Sequence, residues 1–111
     1  MTMAFNEKLA NAAREQLLNF GEHITEKKMF GGISFLYNGK MAIGVLKNDL
    51  VVRVIASKIN HELEKHNVRP MDFTKKPMKE FIYVEVEDIK NLPYWIDLGI
   101  EHAKSKLINS L

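Results

Sequence analysis

The sequence predicts an α+β domain two layers deep, an antiparallel sheet carrying helices on one face. Three observations predict it. Short β-rich runs follow one another through tight turns in the first half of the chain. Strands joined by such short connections pair antiparallel, because parallel neighbours need a long crossover. Amphipathic segments stand at both ends of the chain and after the hairpin run, so the helices form a separate layer on the sheet. The element order read from the sequence is α-β-β-β-α-β-α, with room for one more short strand near Lys28.

The first helix is predicted over about Met3 to Phe20. Phe5, Leu9, Ala12, Ala13, Leu17 and Phe20 recur at helical spacing. Thr2 is placed to cap its start and Gly21 to stop it. Lys28-Met29-Phe30 and Ile33-Ser34-Phe35-Leu36-Tyr37 are β-rich runs separated by Gly31-Gly32. Those glycines lead into a strand and not a helix, so they read as a bulge or sharp bend at the sheet edge rather than a phosphate cradle. Asn38-Gly39 is a strong hairpin signal. Lys40–Leu46 is the partner strand, Lys47-Asn48-Asp49 the next turn, and Leu50–Ile55 the third strand. Ser57 is placed to cap a short helix that presents Ile59 and Leu63 and ends near Asn67. Val68 to Glu80 reads as irregular, with Pro70 and Pro77 breaking regular pairing. Phe81–Val86 is a further strand. Asn91 caps the last helix, Pro93 fits its first turn, and Leu92, Ile96, Ala103 and Leu107 form its buried stripe.

The chain of 111 residues, 46% hydrophobic and 27% charged, fits a single domain, residues 1–111, with one core. It has no cysteine, which excludes disulfides, thiolate metal sites and cysteine nucleophiles and fits a cytoplasmic location. No leader pattern is visible, and no apolar run reaches the ~20 residues of a membrane span, so no membrane partner is expected. Sixteen basic and fourteen acidic residues give a net charge of +2, too balanced to imply nucleic acid by charge alone.

The residues do not assemble a catalytic set. His61 and His66, five apart, lie on different faces of a helix, and Glu62 with His66 reads as a solvated pair. His102 has no neighbouring ligand set, so no metal or cofactor is assigned. None of Ser34, Ser57, Ser105 and Ser110 sits in a nucleophile elbow, and Glu85, Glu87 and Asp88 read as a solvated strand end. An enzyme would need Tyr37, His23 or Glu85 to meet in a pocket. Two features stand out. Arg53 points opposite to Val52 and Val54, so it faces water or an acid. The segment from Lys65 to Glu80 sets Lys65, Arg69, Lys75, Lys76 and Lys79 against Asp72 and Glu80, a local net of +3 that leaves −1 for the remainder. Arg53, Arg69, Lys75, Lys76 and Lys79 are therefore the candidate partner-binding residues.

Several blocks resemble a known family. Glu26-Lys27-Lys28-Met29-Phe30-Gly31-Gly32 with Phe35 and Asn38-Gly39 resembles the opening signature of the N-terminal domain of the TfoX/Sxy family. Asp49–Val54, Val68–Thr74 with Pro77-Met78, and Phe81–Val84 with Trp95 resemble its later blocks, in order along nearly the whole chain. The resemblance implies a short stand-alone member with a two-layer fold of the kind seen in type III secretion chaperones. It implies no catalytic residue and no cofactor. It also implies a context, since the name-giving members are positive regulators of natural competence that assist the cyclic-AMP receptor protein at promoters. Those regulators carry a second, C-terminal helical domain, whereas this sequence ends at Leu111. The expected function is a non-enzymatic regulatory or interaction module holding a protein partner, with homodimerisation through open sheet edges as one form of it. The alternative is weak direct binding of nucleic acid by the basic loop 65–80.

Overall fold

Asn6 opens the first helix, because its side chain accepts the Leu9 N–H and satisfies one of the donors that a helix start leaves free. Helix α1 spans Glu7–Leu17, so it begins later than Met3, and Thr2, expected as its cap, lies outside the described residues. The computed structural model describes residues 5–29, 31–71, 80–87 and 89–109. A 3-10 turn over Leu18–His23 follows α1, and Gly21, at φ 56, bends the chain toward the sheet there. Strands β1 (Ile24–Met29), β2 (Gly32–Tyr37), β3 (Lys40–Leu46) and β4 (Asp49–Arg53) come next. Helix α2 (Ala56–Leu63), β5 (Val68–Pro70), β6 (Phe81–Val84), a 3-10 turn (Ile89–Asn91) and helix α3 (Leu92–Asn109) complete the order.

The six strands form one antiparallel sheet in the order β1-β2-β3-β4-β6-β5. Asn38 (φ 48) and Gly39 (φ 84) make the left-handed turn that the Asn-Gly pair predicts between β2 and β3. Lys47, at φ 54, turns β3 into β4, and its carbonyl accepts the Asn6 N–H at 2.6 Å, tying the start of the chain to this turn. Two expectations change. The segment near Lys28 is a full six-residue strand, and part of the stretch expected to be irregular is β5. Pro70 ends β5 at the sheet's edge, where its missing N–H removes no ladder bond. Ser57 does not cap α2: Ile55 holds the cap position, and no side-chain bond caps the helix.

The core lies between one sheet face and the helices. Phe35, Ile43, Leu50, Val52, Ile82 and Val84 pack there against Ala13 and Leu17 of α1 and Leu92, Ile96 and Ala103 of α3. Ile59 and Leu63 of α2 pack on the edge of this cluster. Gly99 lets α3 approach β3 closely, since a Cβ there would stand 2.4 Å from the Ala42 carbonyl oxygen. The opposite face carries a smaller cluster of Val51, Met71 and Tyr83.

Candidate functional site

Alternation along β4 puts Arg53 on the sheet face opposite α3, with Val51. Its guanidinium lies 4.9 Å from the Phe81 ring centroid on β6, and Nη2 is 4.0 Å from Glu80 Oε2. Arg69 on β5 sits on the same face, over Tyr83 at 4.8 Å, and is ion-paired with Asp49. Hydrogen bonding to Asp49 holds the Arg69 pKa above its ordinary value despite partial burial. The structure thus brings two of the five candidate residues to one face and sets an acid beside each. Lys75, Lys76 and Lys79 lie outside the described residues.

Glu80 gathers more than Arg53. His102 Nε2 of α3 is 3.3 Å from Glu80 Oε2, and Lys106 Nζ is 3.5 Å from Oε1. Glu80 itself adopts φ 70, a left-handed conformation unfavourable for a side chain with a Cβ. Burial pushes its carboxyl up, but His102, Lys106 and Arg53 outweigh burial and hold it below the usual range. His102 is fully buried, and neither ring nitrogen makes an aligned hydrogen bond. Burial holds its pKa below the ordinary histidine value, Arg53 and Lys106 push the same way, and Glu80 opposes them only in part. Burial thus favours the neutral imidazole.

The third cluster joins α2 to α3. Glu62 is only 2% exposed. Tyr94 donates its hydroxyl to Glu62 at 2.7 and 2.9 Å, and Lys65 Nζ donates to the same carboxylate at 2.7 Å. The ammonium rests over the Tyr94 and Trp95 rings, 4.3 and 4.9 Å from their centroids. A cleft of about 360 Å³ opens beside it, rimmed by His66, Asn67, Glu87 and Asn91. The solvated Glu62–His66 pair expected from the sequence is not formed. Glu62 turns inward, while His66 bonds Glu87 at 2.8 Å. The missed signal was the spacing of Ile59, Glu62 and Leu63, which places the carboxylate on the inward stripe of α2. Burial pushes Glu62 up, yet the Lys65 and Tyr94 hydrogen bonds outweigh it and hold the carboxyl low. Burial likewise pushes Lys65 down, and Glu62 and Tyr94 outweigh it and hold the ammonium high. Both shifts run away from neutrality, opposite to the tuning of a general acid or base.

His23 and Tyr37 do meet, stacked at 5.3 Å, with His23 Nδ1 3.0 Å from Asn38 Oδ1. Glu85 follows β6, three strands from Tyr37 in the sheet order, so the trio is not assembled. Among the described residues, no three His, Asp or Glu side chains gather as a metal site, and no helix is long and apolar enough to cross a membrane.

Comparison with known proteins agrees with the blocks quoted above. The family model described as the TfoX N-terminal domain matches residues 15–103, from within α1 to within α3. No curated protein and no solved structure matches the chain. The matched span covers the whole sheet, Arg53, Glu80 and His102, and the Glu62–Lys65–Tyr94 junction of α2 with α3, and the chain belongs to the TfoX N-terminal domain family.

Proposed function

We propose that the chain is a non-enzymatic regulatory module that acts in transcription by holding a macromolecular partner. The observation that carries this reading is the family match over residues 15–103, since the family's name-giving members regulate competence promoters. The polar clusters support it. Glu62 and Lys65 are tuned away from proton transfer, and His102 is enclosed where no substrate reaches it. Arg53 and Arg69 each stand beside an acid, which lowers the net positive field that direct phosphate binding requires.

The test is genetic. Deleting the gene from its native host should change a defined set of transcripts, and returning the wild-type chain should restore them. Unchanged transcripts in every growth phase would refute the reading, as would turnover of a small molecule by the purified protein.

A further inference from the structure

We infer that the free edge of β1 is a docking site for an extended, acidic segment of a partner protein, added to the sheet as a further antiparallel strand. The inference rests on the reading of the chain as a partner-holding module. Its starting point is the sheet order. β1 and β5 are the two edges, and β5 is only three residues long and ends in Pro70. β1 has six residues, and among the described residues nothing pairs with its far side.

The hydrogen-bond phase of β1 follows from one contact. The Asn38 N–H donates to the His23 carbonyl at 2.8 Å, so the odd-numbered residues of this strand face β2. The even-numbered residues therefore turn their backbone groups outward. The Ile24 N–H is taken by the Gly21 carbonyl. The N–H and C=O groups of Glu26 and Lys28 remain to receive a strand, in the hydrogen-bonded positions of an antiparallel ladder.

Charge selects the occupant. Lys27 and Lys28 are exposed on opposite faces of β1, while Glu26 is ion-paired with Arg14 of α1. The edge is thus net positive. A second copy of the chain is a poor fit. Antiparallel pairing of two identical strands across a two-fold axis sets one residue against its own copy. Centred on Glu26 or Lys28, like charges meet directly; centred on Lys27, the two lysines meet, and the Glu26 set opposite the copy's Lys28 is already paired with Arg14. An acidic strand meets Lys27 and Lys28, and the one acid on the edge, Glu26, is already paired with Arg14. On the helix side of β1, a groove of about 300 Å³ lies beside the edge, lined by Leu17, Leu18, Ile24 and Phe35 together with the Arg14–Glu26 pair. Leu18 is 76% exposed there. An added strand would turn alternate side chains toward this groove and the others toward Lys27.

The probe is an end-blocked peptide of about eight residues alternating valine with glutamate, a length that matches one added strand. Titrated into the isotope-labelled chain, it should shift the amide signals of Glu26 and Lys28 and slow their hydrogen exchange. Reversing both lysines, Lys27→Glu with Lys28→Glu, should weaken binding by about ten-fold. Raising salt should weaken it too. Glu26→Pro removes one outward N–H without removing a bond to β2, and it should abolish binding although it frees Arg14. A matched valine–lysine peptide should not bind. Absence of any shift or protection at Glu26 and Lys28 in millimolar peptide would overturn the inference, as would equal binding of the lysine peptide. Undiminished binding by folded Glu26→Pro would do the same. Should Glu26→Pro not fold, the wild-type exchange pattern and the double lysine reversal decide. If folded Glu26→Pro still restores the transcripts of a deletion strain, this site falls and the regulatory reading stands.

Discussion

At the scale of single residues, the decisive positions are polar groups placed inside an otherwise apolar layer. Glu62 is tolerated there because two donors, the Tyr94 hydroxyl and the Lys65 ammonium, occupy its carboxylate. Tyr94→Phe removes one of them and should destabilise the fold by about 1 kcal/mol, read as a lowered urea midpoint with unchanged slope. His102 offers a pH test. Its folded pKa lies below the ordinary value of about 6.5 that it regains on unfolding, so below that pH the unfolded chain binds more protons. Its contribution is complete above about pH 6.5 and shrinks as pH falls toward the folded pKa. Glu80 lies beside the ring and Arg53 and Lys106 act on it electrostatically, and the carboxyl of Glu80 is held below the usual carboxylate range, outside the histidine window. Stability followed by urea unfolding should therefore decline as pH falls below about 6.5, and His102→Gln should flatten that part of the profile.

At the scale of elements, local chemistry and long-range packing divide what a reader of the sequence sees. The β2–β3 turn was legible because Asn38 and Gly39 carry their conformational preference within two residues. The side of β4 taken by Arg53 was legible because strands alternate. The short strand β5 was not, since Pro70 argues against pairing unless the strand's place at a sheet edge is known. The inward turn of Glu62 was hidden for a similar reason: its partner Tyr94 lies 32 residues away, on another helix. The surroundings of His102 were hidden as well, since Glu80, 22 residues earlier, reaches it only in the folded chain. Lys75, Lys76 and Lys79, singled out by charge alone, lie outside the described residues. Packing between elements supplies another test. Alanine favours a helix over glycine by about 1 kcal/mol, so Gly99→Ala would stabilise an isolated α3. In this fold the added methyl meets the backbone of Ala42, and overpacking against backbone should reverse the sign, with a net loss of about 1–2 kcal/mol in denaturant unfolding.

At the scale of the whole molecule, the question is how an open sheet avoids joining other sheets. One edge, β5, is three residues long and ends in Pro70, and the other, β1, carries Lys27 and Lys28, both devices that disfavour edge-to-edge joining. Replacing Lys27 with Thr and Lys28 with Val should leave the fold intact, because both side chains are exposed. The doubly substituted chain should show a light-scattering mass that climbs with concentration, while the mass of the parent chain changes less over the same range. Equal behaviour of the two would show that these lysines do not guard the edge.

The bond from Asn6 to the carbonyl of Lys47 gives α1 a preferred direction of release. Its leading end is moored to the β3–β4 turn and capped by the same asparagine, whereas its trailing end runs into a 3-10 turn where Leu18 stands in water. Peeling should start at the trailing end and travel back toward the mooring. Amide protons near Leu17 should therefore exchange sooner than those near Ala10, and Asn6→Ala, which removes the cap but keeps the backbone bond to Lys47, should narrow the gradient without abolishing it.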